Sequence, residues 1–181
     1  MQVTSIVFTS LFTALIAAGA FLVIPVGVVP ITLQTMFVIL AGLLGGMRIG
    51  TSAAVLYLLL GTLGLPIFSG GTGGIGHLLG PTGGYLVAWV PAAFIAGFFS
   101  DRTSMPKLPR FILGSIAATL VIYLLGVPWL KFVLGLSWSQ AAAAGALPFL
   151  PGDILKVVAA VSIARILSDR VKEFLTQNRT G

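Results

Sequence analysis

The sequence of 181 residues contains no cysteine, one histidine and only four acidic residues. Without cysteine the chain has no disulfide, no thiolate metal ligand and no cysteine nucleophile. Asp101 lies in a loop between apolar segments, and Asp169 and Glu173 lie in the C-terminal tail, so Asp153 stands alone and no general acid and base pair is expected. No serine, histidine and acid share a recognisable catalytic spacing either. We therefore expect no catalytic residue, no metal, no cofactor and no enzymatic activity.

Charged residues are also scarce: they make up 8% of the chain, whereas 57% of it is hydrophobic. An ordinary soluble domain is about 25% charged. No charge precedes Arg48, and none lies in residues 49–100. A soluble fold of this length cannot bury so much apolar surface, whereas a helix that crosses a bilayer needs roughly 20 mainly apolar residues. We expect an all-α polytopic membrane protein with a single membrane domain over residues 1–181.

Apolar segments bounded by proline, glycine or charge predict six membrane-spanning helices. They cover residues 5–24, 31–47, 49–65, 83–100, 111–130 and 151–167. If the N-terminus is cytoplasmic, eight of the ten basic residues lie on the cytoplasmic side, so the positive-inside rule predicts that both termini are cytoplasmic. The outer loops are then residues 25–30, 66–82 and 131–150, and Ser137 in the third is expected to N-cap a short helix.

The net charge of +6 and a glycine-rich string suggest nucleic-acid or nucleotide binding, but neither has the right context. The basic residues lie at the ends of apolar segments and not in one patch, so we expect no nucleic-acid partner. The string GTGGIG at residues 71–76 fits G-x-G-x-x-G, yet no βαβ unit surrounds it. It is either a flexible loop or a loop whose backbone lies against a small ligand. His77, which follows it, is expected to be a hydrogen-bonding loop residue and not a metal ligand.

Two opposite charges, Asp153 and Lys156, stand at the outer end of the sixth apolar segment, three residues apart. A charge inside a membrane helix costs about 2.5–3.5 kcal/mol, so such a pair is expected to face the protein interior, water or a ligand. Ala160 and Ala164 continue the same face and permit close packing. Two interpretations stay open: an ion pair that only fixes the helix, or a site for a zwitterionic or amide-bearing ligand.

Small residues recur at a spacing of four in the first two segments, as Ala14 and Ala18 and as Gly42 and Gly46. Such spacing lets two helix backbones approach closely. Because the pattern is common in membrane helices, packing within the protein is the simpler explanation for both pairs. Neither pair alone identifies a partner.

Three motifs together resemble the BioY family, whose members are biotin-specific S components of energy-coupling factor (ECF) transporters. The motifs are VPITLQT at residues 29–35, GPTGGY at 80–85 and PFLPGDILK at 148–156. The resemblance extends over nearly the whole chain in length, number of spans and motif order. It implies an S-component fold in a bacterial plasma membrane, high-affinity capture of extracellular biotin, and association with a transmembrane coupling protein that carries two ATPase subunits.

The resemblance also implies roles for particular residues. Lys156 would be the counter-ion of the biotin carboxylate, and Asp153 would accept a ureido N–H or hold Lys156. Ala14 and Ala18 would form the surface that docks on the coupling protein. The substrate-binding residues expected on this basis are Asp153, Lys156, Tyr85, Gln34, Gly73, Gly74, Gly76 and His77. The alternatives are an S component for a different vitamin and a small intramembrane enzyme.

Overall fold

The computed structural model describes residues 3–25, 27–102 and 104–177. Of these residues 77% are helical, which confirms a mostly helical fold. The helices are α1 (Val3–Gly19), α2 (Gln34–Thr62), α3 (Ile75–Leu79), α4 (Gly83–Asp101), α5 (Lys107–Leu134), α6 (Trp138–Gly145) and α7 (Leu150–Gln177). Two short strands, β1 (Val23–Ile24) and β2 (Ile31–Thr32), pair antiparallel between α1 and α2.

Helix α2 is a helical hairpin that reverses at Gly46. This residue has φ of 70° and ψ of −175°, a backbone conformation that glycine adopts without steric cost. A Cβ atom added to Gly50 would lie 2.7 Å from the Cα atom of Gly42, whereas a straight helix would separate the two residues by about 12 Å. The N–H of Met47 donates to Oδ2 of Asp101 at 3.0 Å, so a carboxylate at the end of α4 caps the returning arm.

The two arms of α2, residues 34–45 and 47–62, correspond to the predicted segments 31–47 and 49–65. The first arm packs closely on α4. A Cβ atom on Gly42 would lie 2.5 Å from the carbonyl oxygen of Ala93 and 2.7 Å from the Cβ atom of Ala96. Gly42 therefore serves helix packing within the protein. Ala14 and Ala18, by contrast, are exposed on the outer face of α1.

Large apolar side chains cover much of the outer surface, as expected for a protein surrounded by hydrocarbon; Leu63, Phe132 and Ile166 are all more than 70% exposed. By length and composition, the described helices α2, α4 and α5 could each cross a membrane. A fourth crossing results if α6 and α7, which meet at 47°, count as one bent span. Because α2 reverses, however, its arms are only roughly 18 and 24 Å long. Counted by length and composition alone, with α2 taken as one helix, the described helices give three to four spans.

Several predicted boundaries differ from the structure. The second segment was expected to begin at residue 31, where β2 lies, and the sixth was expected over 151–167, whereas α7 runs over Leu150–Gln177. The first segment was expected to be helical to residue 24, but α1 ends at Gly19 and residues 23–24 form β1, whose β-branched side chains suit a strand. The loop at 66–82 contains α3. In the loop at 131–150, α5 continues to Leu134, and the predicted cap on α6 is confirmed as a capping box, since Ser137 and Gln140 each bond the other's backbone N–H.

Candidate ligand-binding site

A cavity opens at the end of the bundle where α2, α4 and α7 begin. It encloses about 600 Å³ of space between protein atoms, a figure that includes its open mouth. The lining is apolar and aromatic with a few polar groups. It consists of Val29, Pro30, Ile31, Thr32, Gln34, Thr35, Ser69, His77, Thr82, Tyr85, Leu86, Trp89, Ile122, Tyr123, Phe149, Asp153 and Lys156.

The charged part of the cavity is a group of three residues from α5 and α7. The Nζ atom of Lys156 lies 2.8 Å from Oδ1 of Asp153, and the side chains are only 8% and 14% exposed. The Tyr123 hydroxyl donates to Oδ2 of the same carboxylate. Both carboxylate oxygens are thus bonded, whereas Asp153 takes only one of the three N–H donors that a lysine ammonium has. Lys156 therefore brings a buried positive charge to the cavity wall, with donors that bond to no other side chain among the residues that the structure describes.

Further along α7, Ala160 and Ala164 are fully buried and continue the face that carries Lys156. Their small side chains allow α7 to pack closely on the bundle. The expected inward orientation of the Asp153 and Lys156 pair is confirmed. Close packing therefore holds α7 in the bundle below the pair, and the pair itself faces the cavity.

Gln34 is fixed by a hydrogen-bond chain that crosses the cavity wall. The Thr32 hydroxyl donates to its Oε1 atom at 3.2 Å, and its Nε2 atom donates to the Tyr57 hydroxyl. Tyr57 in turn donates to the carbonyl oxygen of Ile67 at 2.8 Å. The chain ties both arms of α2 to the 66–82 loop, so the orientation of the Gln34 amide is set before any ligand binds.

Tyr85 contributes a wall of the cavity and not a free hydroxyl. Its hydroxyl donates to the carbonyl oxygen of Gly145 at 2.7 Å, at the end of α6. Its ring lies against Gly126 so closely that no Cβ atom would fit there. Tyr85 therefore presents its ring to the cavity and links α4 to the 131–150 loop.

His77 lines the cavity and also holds the 66–82 loop together. Its Nδ1 atom is 3.0 Å from the Thr72 hydroxyl and its Nε2 atom is 3.3 Å from the Thr82 hydroxyl. Its ring stacks on Phe68 at 5.2 Å. Burial lowers the pKa of His77, so the imidazole is neutral at pH 7. Within the described part of the chain no three acid, histidine or cysteine side chains are grouped as metal ligands.

The predicted glycines Gly73, Gly74 and Gly76 do not line the cavity, although Ser69 and His77 on either side of them do. Gly74 has φ of 92°, and its N–H donates to the carbonyl oxygen of Gly61 at 2.7 Å. A Cβ atom on Gly73 would collide with the carbonyl oxygen of Leu65. In the structure these two glycines let the loop turn and pack against the end of α2.

Sequence analysis did not predict several of the residues that line the cavity, among them Thr35, Trp89 and Tyr123. It also missed Tyr57, which does not line the cavity but bonds to Gln34 from behind. Tyr57, Trp89 and Tyr123 have polar-tipped aromatic side chains within otherwise apolar segments. Such side chains usually find a hydrogen-bond partner when buried. That signal was available in the sequence, but it does not tell which aromatics share a cavity.

The fold and the site define a small helical membrane protein with a ligand cavity, part apolar and part charged, at one end of its bundle. The BioY family pattern matches residues 1–173, and the chain belongs to the BioY family. The resemblance carried by the three motifs is thereby confirmed.

Relatives and a solved structure agree with this assignment. A protein of Pyrococcus horikoshii named probable biotin transporter BioY is 43% identical over 92% of this chain and 98% of its own length. The biotin transporter BioY of Thermotoga maritima is 40% identical over 85% and 89%. A crystal structure of the S-component for biotin from an ECF-type ABC transporter matches with a TM-score of 0.85 and 34% identity, covering 92% of each chain. These proteins are named as transporters, in agreement with the expectation that the chain is not an enzyme.

Proposed function

We propose that this protein captures extracellular biotin with high affinity, as the substrate-binding S component of an ECF-type vitamin transporter. The observation that carries the proposal is the buried pair of Lys156 and Asp153 in a largely apolar cavity. Biotin has a carboxylate, an apolar thioether ring and a ureido ring with two N–H donors and a carbonyl. A cavity with one buried cation, apolar walls and a few fixed polar groups suits each of these parts.

Lys156 compensates the biotin carboxylate, because a charge-assisted bond to a buried ammonium offsets the cost of desolvating that group. Asp153 holds Lys156 in place through their salt bridge. The Gln34 carbonyl oxygen accepts from a ureido N–H, and the Tyr85 ring packs against the ligand. His77 closes the cavity from the 66–82 loop, and Gly73, Gly74 and Gly76 shape that loop around the entrance.

We also propose six spans, formed by α1, the two arms of α2, α4, α5 and α7, with both termini in the cytoplasm of a bacterial cell. The cavity is built where α2, α4 and α7 begin, whereas Asp101, Lys107 and Lys172 gather at the opposite end. The positive-inside rule places that opposite end in the cytoplasm and the cavity outside. The terminal residues 1–2 and 178–181 lie outside the described residues.

Cysteine labelling tests the orientation, because the chain has no native cysteine. A thiol introduced at position 72 should react with an impermeant reagent in intact cells, and one at position 104 should react only after permeabilisation. The reverse pattern would place the cavity in the cytoplasm and would refute uptake by this route.

Ala14 and Ala18 are the proposed docking surface for the transmembrane coupling protein, which carries the two ATPase subunits. Both residues are exposed on α1, one turn apart. Small residues let a second helix approach the α1 backbone closely. The sequence itself has no G-x-x-x-x-G-K-[ST] phosphate-binding loop, so the energy of ATP hydrolysis has to come from partner subunits.

Mass spectrometry of the small molecules retained by the purified protein tests the ligand directly. We expect biotin to copurify unchanged and unlabelled biotin to displace radiolabelled biotin, while other vitamins do not compete. Retention of a different vitamin would show an S component of other specificity. A chemically altered ligand would instead indicate an enzyme.

A further inference from the structure

The indole N–H of Trp89 is buried in the cavity wall without a hydrogen-bond partner. Trp89 lies on α4, one turn after Tyr85, and is 4% exposed. Its Nε1 atom is inaccessible to solvent and bonds to no atom in residues 3–25, 27–102 and 104–177. An indole nitrogen is a donor only, and buried polar groups are nearly always paired, so an acceptor is missing here.

Trp129 shows what an indole N–H in this protein does when protein acceptors are within reach. Its Nε1 atom donates to the carbonyl oxygen of Gly80 at 2.9 Å. The third tryptophan, Trp138, is 60% exposed and can bond to the surroundings. Of the three indoles, only that of Trp89 is both buried and unpaired within the described residues, and it is the one that lines the cavity.

A second unpaired group lies in the same wall. The hydroxyl oxygen of Thr35 is also buried and unpaired within the described residues. Five buried side-chain atoms share this condition in that part of the chain, and two of them belong to Trp89 and Thr35, which line this cavity. This concentration is what a site shaped for a polar ligand would show, because the ligand completes the hydrogen bonds.

The surroundings of Trp89 favour a neutral acceptor over a charged one. Its ring lies 5.5 Å from that of Tyr57, whose hydroxyl already donates to the carbonyl oxygen of Ile67. Lys156 is the only cationic side chain among the described lining residues, and it is paired with Asp153. If Lys156 and Asp153 meet the carboxylate of the ligand, a further ligand carboxylate at Trp89 would be buried without a counter-ion. A carbonyl oxygen at Trp89 needs only a donor.

We infer that Trp89 is a ligand-binding residue whose indole N–H donates to a neutral carbonyl oxygen of the ligand. The inference rests on the proposed function, in which biotin is the ligand and Lys156 meets its carboxylate. The acceptor is then the ureido carbonyl oxygen. Trp89 selects for a cyclic urea, since an analogue without that oxygen leaves the donor unpaired.

Calorimetry of Trp89→Phe tests this assignment, with biotin, its amide and its thiourea analogue as probes. Phenylalanine keeps an aromatic ring but has no N–H. We expect biotin and biotin amide to bind about fivefold more weakly or worse, because the ligand carbonyl loses its donor. The thiourea analogue, whose sulfur is a poor acceptor, should change by less than about twofold. Trp138→Phe, outside the cavity, is the matched control and should leave all three affinities unchanged.

Equal losses for biotin and the thiourea analogue, or no loss at all, would overturn the assignment. Should Trp89→Phe not fold, the wild-type protein still decides the matter by ¹⁵N NMR of its three indole groups. Biotin should shift the Trp89 N–H resonance downfield and leave that of Trp129 in place, and an unmoved Trp89 resonance overturns the inference. If the wild-type protein does not bind biotin, the proposed function fails and this assignment fails with it; binding without a Trp89 effect refutes only the latter.

Discussion

Replacing Lys156 by methionine separates a ligand-binding lysine from a merely structural one. Methionine keeps much of the apolar stem and removes the charge. Lys156 and Asp153 are 8% and 14% exposed, so solvent screens the pair little. Breaking a buried charge pair costs about 2–5 kcal/mol, which is roughly 30- to 4,000-fold in the dissociation constant. We expect biotin binding to weaken within that range.

Titration calorimetry with biotin and with neutral biotin amide provides the comparison. The amide should lose far less affinity than biotin in Lys156→Met, because it has no carboxylate to compensate. Lys131→Met removes a positive charge outside the cavity and should leave both affinities unchanged. Equal loss for both ligands would contradict this role of Lys156, since it would show that the carboxylate bonds elsewhere.

Part of the loss in the single variant comes from Asp153, whose carboxylate keeps the bond from Tyr123 but loses its counter-ion when Lys156 is gone. A double variant, Asp153→Asn with Lys156→Met, removes this stranded charge. We expect it to fold better than Lys156→Met but to bind biotin no better. Restored biotin binding in the double variant would show that the lysine serves only to neutralise Asp153.

Three further predictions concern docking, the α2 hairpin and the outer loop. Ala14→Trp should leave biotin affinity unchanged and reduce copurification of the coupling protein several-fold, because the bulky ring blocks close approach of the partner helix. Val158→Trp, on the exposed face of α7, is the control and should not reduce copurification. An intact complex with Ala14→Trp would show that this face of α1 is not the docking surface. Gly46→Ala should lower the free energy of unfolding by about 1–3 kcal/mol, because Gly46 has a φ of 70° and Asp101 occupies the position of the added Cβ atom. The loss should be seen as a lower Tm in detergent. Gly152→Ala, where the added Cβ atom meets open space, is the control. Because burial lowers the pKa of His77 below its unfolded value of about 6.5, the stability due to neutral imidazole is present above that pH and is lost as pH falls through the folded pKa. The decrease in Tm between pH 7.5 and 5 should thus be smaller in His77→Gln; an equal decrease would show that other groups titrate.

Local signals in the sequence determined the class of this protein and the main feature of its site. Uninterrupted apolar segments can be stable only as helices in hydrocarbon, whatever their neighbours are. The buried orientation of Asp153 and Lys156 also follows from one helix alone, because an unpaired charge facing lipid is too costly. The three motifs added the family. Ser137 was identifiable as a cap because a capping box involves only residues that are close in sequence.

Which side chains share the cavity, and which surfaces the small residues serve, depends on how the helices pack in three dimensions. Gly42 and Ala14 have the same spacing pattern, yet one meets α4 and the other is exposed, and that difference depends on how the helices are arranged. The bonds from Tyr123 to Asp153 and from Gln34 to Tyr57 join residues 30 and 23 positions apart. Their geometry depends on the reversal at Gly46 and on the crossing of α5 and α7. Sequence periodicity describes one helix at a time and therefore cannot specify contacts between helices.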